Sequence, residues 1–341
     1  MLKSAVLKAS MIVVMLLLFV GVPIVNAEDT NWTSPTTEDL FSVYMVNATD
    51  GWAVGGGGTI IHWNGTSWTN MSSPTTERLQ SVFMVGSDDG WAVSYGGPYK
   101  GTIIHWDGVE WTEVTTTDSS FYSVSMVGSN DGWAVGGGGN IIYWNGTEWT
   151  EMTSPTTEWL ESVSIVNSND GWAVGIDGTI IHWNGTEWTE MTSPTTEWLT
   201  SVSMVASNDG WAVGGPGNVA IIHWDGTRWT EVTSPTTWGL LSVSMVSSDD
   251  GWAVGNGGRI IHWDGTRWTE LTSPTLKVLN SVFMVNANEG WAVGLDGTII
   301  HWNGVEWVPE FPTWTSMLLL LIVLTVALAI YKRKLLKTPI H

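Results

Sequence analysis

The chain has 341 residues, with 33 aspartates and glutamates against 12 lysines and arginines, a formal net charge of −21, and no cysteine. A balance that negative excludes nucleic acid and anionic membrane surfaces as partners, by like-charge repulsion. Without cysteine there is no disulfide framework, and burial of apolar surface must hold the fold.

Residues 1–27 carry Lys3 and Lys8, an apolar stretch from Met11 to Val20 and a small-residue exit at Val25-Asn26-Ala27. This pattern predicts a secretory signal peptide cleaved after Ala27, with a retained N-terminal anchor as the competing reading.

Residues 28–308 repeat one phrase seven times. Its Gly-Trp-Ala-Val core recurs at Trp52, Trp91, Trp133, Trp172, Trp211, Trp252 and Trp291, at intervals of 39–42 residues. A fixed period of this size marks a repeat architecture. Each copy holds four short apolar runs divided by turn signals, which predicts four strands. In the first copy they span Ser42–Val46, Trp52–Val54, Thr59–Trp63 and Ser67–Asn70.

An Asn-Gly or Asp-Gly pair separates the last two strands, beginning at residues 64, 107, 145, 184, 225, 264 and 303. The pair predicts a two-residue type I′ hairpin. A glycine-rich turn such as Gly55–Gly58 joins strands two and three; no helical pattern follows it, so it reads as a turn and not a phosphate cradle. Adjacent apolar residues such as Ile60-Ile61 require cover on both sheet faces, which neighbouring copies in a ring supply. An open stack would need polar end caps, and the terminal copies are as apolar as the rest. The expected fold is therefore all-β, a seven-bladed β-propeller with four-stranded blades. Thr30–Pro35 echoes the end of a blade, and the seventh copy stops short at Trp307-Val308. We expect the N-terminal fragment to supply or extend the outer edge of the last blade.

Three positions per copy are always tryptophan, which accounts for 21 of the 26 in the chain. Burying about 150–250 Å² per ring at about 25 cal/mol/Å² gives roughly 4–6 kcal/mol gross each. These rings read as structural glue and not as a ligand box.

Six histidines share one repeat position (His62, His105, His182, His223, His262, His301, with Tyr143 in the third copy). They stand one per blade at separate seams, so they cannot converge on a metal ion. The acid before strand two (Asp50, Asp89, Asp131, Asp170, Asp209, Asp250, Glu289) matches a calcium loop only partly and reads as an Asx-type turn. No cofactor is expected. Nothing singles out a carboxylate pair spaced for glycoside hydrolysis.

The copies differ most in the connections entering strand one and in the glycine-rich turn, which share one face. There Tyr95, Tyr99, Lys100, Trp159, Trp198 and Trp238 form a candidate ligand face, with Glu38, Glu77, Glu158 and Glu197 as an acidic rim. Variable loops on a rigid scaffold are where binding residues concentrate, and exposed aromatic rings anchor partners. Six Asn-x-Ser/Thr sequons, at Asn31, Asn47, Asn64, Asn70, Asn145 and Asn184, mark candidate glycosylation sites. Three of them coincide with the hairpin signature.

After Val308, segment 309–331 contains Pro309-Glu-Phe-Pro312 and an uncharged run from Met317 to Tyr331. With its flank from Trp314 the run is just long enough to span a bilayer, and the basic tail 332–341 places the C-terminus inside the cell. All 33 acids but only six bases lie in 28–310, so the exported part carries −27.

The C-terminal arrangement of Pro-Glu-Phe-Pro, hydrophobic segment and basic cluster resembles the archaeal PEF-CTERM sorting signal. That resemblance implies an archaeal surface protein processed by an archaeosortase near 309–312; a simple single-pass anchor competes with it. Across 31–308 the Gly-Trp-Ala-Val-Gly copies, each with a Gly-x-Ile run before a Trp-ending turn, resemble the BNR-type propeller family that includes photosystem II assembly factors. The family's Asp-box, Ser/Thr-x-Asp-x-Gly-x-Thr-Trp, is compressed here to Trp-Asn/Asp-Gly-Thr-x-Trp. The resemblance implies the fold and does not carry a photosystem role. Sialidases also use such blades, and the resemblance would then require a convergent arginine cluster; Arg228 and Arg267 fall in the outer hairpin instead. The expected function is non-enzymatic binding of a protein or glycan through one face of a membrane-anchored, cell-surface propeller. A structural envelope protein is the first alternative, and a sialidase-like hydrolase the second.

Overall fold

The computed structural model describes residues 34–96, 100–215 and 217–309. The expected signal peptide (1–27), the 310–341 segment, Asn31 and Tyr99 lie outside them, and among the described residues no helix is long and apolar enough to cross a membrane. The described part is a seven-bladed all-β propeller of seven antiparallel four-stranded sheets, each built from consecutive strands. In the first blade these are Leu40–Asn47, Asp50–Gly55, Ile60–Trp63 and Trp68–Asn70.

Both faces of every sheet are apolar because each packs against a different neighbour. One seam gathers Trp52, Val54 and Ile60 of blade one against Leu79, Val82, Ile104, Trp106 and Trp111 of blade two. The strand-two tryptophan of one blade meets the strand-three and strand-four tryptophans of the next: Trp52 lies 4.8 Å from Trp106 and 5.4 Å, edge-on, from Trp111. Tilted and edge-on indole pairs suit the ring quadrupole and add to the area term. The same contact closes the circle, with Trp291 at 4.9 Å from Trp63 and 5.4 Å from Trp68.

Closure differs from expectation in that the N-terminal fragment does not supply the last blade's outer strand; whether it extends that edge falls on residues 28–33, outside those described. The seventh blade takes its outer strand from its own Trp307–Pro309, which pairs with Ile299–Trp302. Residues 34–39 act instead as the seventh inter-blade connection. The Thr36 carbonyl lies against Gly297 just as the Thr75 carbonyl lies against Gly58, each so close that a Cβ on the glycine would collide with it. Asp296 N–H donates to Asp39 Oδ1 at 2.8 Å and Asn280 Nδ2 donates to the Leu40 carbonyl at 2.8 Å, so closure is wholly non-covalent.

Two turn readings are also corrected. Trp63 pairs with Trp68, leaving a four-residue loop in which Gly65 (φ +86°), and not Asn64, has positive φ. Asn64 Oδ1 accepts the Thr66 and Ser67 N–H groups, both at 3.0 Å, so the Asn/Asp is present as an acceptor that ties the loop. The turn acid is no Asx device either. Asn47 Oδ1 takes the Thr49 N–H, while Asp50 accepts from His62 Nε2 at 2.8 Å. Five further histidines repeat this pairing at 2.7–2.8 Å. Each ring also packs on its strand-two tryptophan, 4.3 Å away for His62.

Candidate functional site

The first strand of each sheet is an edge strand and runs beside the first strands of both neighbours, lining the axis. An edge strand leaves backbone N–H groups without ladder partners, and enclosed donors need an acceptor. The recurring Ser-Val pair supplies it. Ser42 Oγ accepts from Val82 N–H at 3.2 Å, Ser162 from Val202 at 3.2 Å, and Ser281 from Val43 at 3.2 Å. The four other seams repeat the bond, so seven serines form a closed ring.

One layer further in, four copies again carry serine: Ser125, Ser164, Ser203 and Ser244 accept the N–H of Ile165, Met204, Met245 and Met284. The other three copies, in blades seven, one and two, carry Phe283, Tyr44 and Phe83. Tyr44 packs on both neighbours with tilted rings at 4.5 and 4.6 Å, and burial pushes its hydroxyl up to about 12.

Above the serine ring, each first strand slips register by one residue. Leu40 pairs with Gly55 and Ser42 with Val54, so Phe41 is the extra residue of a β-bulge. The other six blades bulge at Gln80, Tyr122, Glu161, Thr200, Leu241 and Asn280. A bulge frees a side chain from the strand's alternation and re-aims it. All seven bulge residues line one cavity of about 260 Å³ at the axis, together with the serine ring, Arg78 and Trp198. No two of the seven are alike.

The chemistry of this mouth is uneven. The Arg78 guanidinium lies 3.6 Å over the Phe41 ring, and its Nε donates to Gln80 Oε1 at 2.8 Å. Burial pulls the guanidinium below its ordinary value, against the pull of Asp39, Tyr95, Glu161 and Tyr122. Two blades away, burial pushes the Glu161 carboxyl up to about 7, with Arg78 opposing. Between them Tyr95, Tyr122 and Trp159 form an aromatic wall, with centroids 6.0 and then 5.9 Å apart. The Tyr122 hydroxyl is pushed up to about 12, mainly by burial and then by Glu161 and Tyr95.

The sequence-predicted residues divide. Trp159 (47% exposed) and Trp198 (38%) stand at the mouth, and Tyr95 joins the wall. Trp238 is as exposed as Trp159 but lies apart, against Arg259 at 5.4 Å, where Arg259 also bonds Glu270. Lys100 is exposed and does not line the cavity. Glu38, Glu77, Glu158 and Glu197 do not line it either. Each donates its N–H to the threonine two residues before, in a Ser-Pro-Thr-Thr turn, and Glu197 also accepts from Asn218. The carboxylate that does line the mouth is Glu161.

Sequence reading missed Phe41, Arg78, Tyr122 and Glu161 as site residues. Arg78 shares the repeat position of Trp159 and Trp198, and for the other three the signal was two positions further on, since the residue before the invariant Ser-Val differs in every copy. The sequons at Asn47, Asn64, Asn70, Asn145 and Asn184 are exposed, although Asn70 Nδ2 donates to the Pro35 carbonyl. Among the described residues no three acids or histidines are placed to hold a metal ion. The described arginines are dispersed, Arg228 and Arg267 beside Asp225 and Asp264 in the outer loops.

This architecture defines a β-propeller. No family model matches the chain, and no curated protein matches it. Among solved structures it is similar to YCF48 bound to a D1 peptide (TM-score 0.65, 18% identity, covering 79% of this chain and 94% of that one). It is also similar to YCF48 from Cyanidioschyzon merolae (TM-score 0.66, 18% identity, 80% and 98%) and to the WD40 repeats of RRP9 (TM-score 0.62, 10% identity, 75% and 88%). At such identities the likeness is one of fold.

Proposed function

We propose that the chain is a non-enzymatic binding propeller, displayed on the cell surface by its C-terminal segment, which takes a protein or glycan partner on the loop face around the channel mouth. The observation that carries the binding reading is the set of seven bulge residues, one per blade and all different, converging on one cavity. Thr200 and Asn280 also bond the next blade's first strand, at Leu240 and Leu40, but the variety of the other five serves no inter-blade bond. The aromatic wall and the exposed Trp159 and Trp198 supply rigid contact area at little entropic cost. A peptide bound to YCF48, a propeller of similar fold, supports a polypeptide partner over a glycan. Export, anchoring, a BNR-type ancestry and archaeosortase processing rest on the terminal sequences and the repeat motifs.

The test is capture from native membranes by the full chain and by a variant with Tyr95, Tyr122, Trp159 and Trp198 all changed to alanine. Binding through this face predicts a partner retained by the wild type and lost by the variant, with melting temperatures within a few degrees. Identical retention would favour a structural element of the envelope.

A further inference from the structure

Three features of the mouth have no role in the fold. The half-buried Glu161 carboxylate lines the cavity, yet no hydrogen-bond donor among the described residues reaches it, unlike the acids of the His pairs or of the outer loops. Desolvating a carboxylate without a partner is unfavourable, and the arrangement persists only where something else compensates. Tyr122 lines the same cavity and interacts with Glu161, and Trp159 packs on Tyr122 at 5.9 Å; such rings attract a cation within about 6 Å of a face. The surrounding loops carry Glu38, Glu77, Glu158 and Glu197, within a domain whose acids outnumber its bases by 27.

We infer that the mouth is a receptor for a cationic side chain, a lysine or arginine presented by an extended peptide, with Glu161 as its counter-ion and Tyr122 and Trp159 as its aromatic wall. This deepens the binding reading above and rests on it. The obvious objection is Arg78, which lines the same cavity. Its charge is already engaged, however, with its guanidinium on Phe41 and its Nε on Gln80, two blades from Glu161 and beside Asp39. Arg78 biases Glu161 toward its ionised form. A bound cation takes over that task at closer range.

The depth of the cavity sets what enters. Beneath the serine ring, Phe283, Tyr44 and Phe83 fill the channel side of three consecutive blades. The seat therefore admits one side chain from the loop face and does not thread a polypeptide. Burial holds the Glu161 carboxyl up and Arg78 opposes it, while Tyr122 interacts with Glu161 and Asp39 and Tyr95 interact with Arg78. No histidine lines the mouth.

The experiment uses the full chain and acetylated, amidated pentapeptides Gly-Gly-X-Gly-Gly with X lysine, arginine, norleucine or glutamate, titrated at pH 8 and followed by NMR. The lysine and arginine peptides are expected to bind at least tenfold tighter than the norleucine and glutamate peptides. Glu161→Gln should weaken the lysine peptide tenfold or more, Trp159→Ala threefold or more, and Arg78→Gln should tighten it two- to fivefold. Glu187→Gln removes the same charge from an outer loop and should change binding less than twofold, which separates a seat from general attraction to an acidic protein. Below pH 6, protonation of Glu161 should abolish the lysine preference in the wild type.

Equal losses in Glu161→Gln and Glu187→Gln would overturn the inference. So would a glutamate peptide that binds best and depends on Arg78, which would make this an anion site. If the native partner is still lost on mutating the aromatic wall while the lysine peptide ignores Glu161, the cation seat fails and the binding face stands.

Discussion

Two tryptophans of the fourth blade, thirteen residues apart, should respond in opposite ways to the same substitution. Trp172 is 1% exposed and sits in a seam with Val174, Ile180, Leu199, Val202 and Ala212. Its ring meets His182 at 4.3 Å, Trp224 at 4.6 Å and Trp229 edge-on at 5.4 Å. Its indole N–H has no conventional acceptor, so its contribution is packing alone. Trp→Ala in a core costs about 3–5 kcal/mol, and each lost aromatic pair about 0.5–1.5 kcal/mol within that total. The seam cannot collapse to fill the gap, because each blade is clamped by a second seam on its other face. We expect Trp172→Ala near the top of the range. Trp159 is 47% exposed and touches one ring, Tyr122. Its replacement by alanine should stay within about 0.5 kcal/mol, the usual span for surface changes. Urea unfolding followed by circular dichroism, with the m-value checked for each variant, measures both. A loss below about 1 kcal/mol in Trp172→Ala, or above about 2 kcal/mol in Trp159→Ala, would refute the division of indoles into seam and face.

Two further predictions concern the channel. Ser162→Ala leaves the Val202 N–H without its acceptor, and should cost about 1–3 kcal/mol in urea titrations, whereas Ser162→Thr, which keeps the hydroxyl, should recover most of it. Glu161 has a folded-state pKa of about 7, against about 4.3 for an unfolded-chain glutamate. The folded state therefore binds the extra proton between those values, and stability falls as pH rises through that window and is level above it. Glu161→Gln lacks this term, so it should equal the wild type near pH 4 and exceed it at pH 8 by on the order of 1–3 kcal/mol, below the full shift because the carboxylate opens onto the channel. A difference that does not change with pH would refute this.

The fold was readable because its demands repeat. Gly-Trp-Ala-Val, the paired isoleucines and the three fixed tryptophans each recur seven times, and adjacent apolar residues in a short strand have few solutions other than radial packing. Partner identity within a repeat was less readable. Asp50 and Asn47 both stand near the same turn, and composition alone does not say which ties the backbone and which holds His62. Likewise Asn64-Gly65 suits a two-residue hairpin in isolation, but pairing Trp63 with Trp68 sets the loop at four residues. The mouth was hidden for a different reason. A bulge is a register event between two strands, and the residue it re-aims looks from its own strand like any other position of the alternation.

That register slip also explains where this chain can carry specificity. In a ring of near-identical blades, a position that touches a seam is constrained by both neighbours, as Trp172 is. A position on the inner edge is constrained by the next blade's N–H, as Ser162 is. Most bulge residues answer to neither, and only Thr200 and Asn280 reach the next blade, at the Leu240 and Leu40 carbonyls. Seven such positions meet at one place, and the five without a bond to the next blade can change residue by residue without disturbing the ring that holds them. Sevenfold symmetry would make a featureless mouth. Here the chain breaks it in two layers, with Phe283, Tyr44 and Phe83 grouped below and Arg78 and Glu161 set two blades apart above. The side that carries the carboxylate and its aromatic wall is therefore the side from which a ligand's orientation would be read.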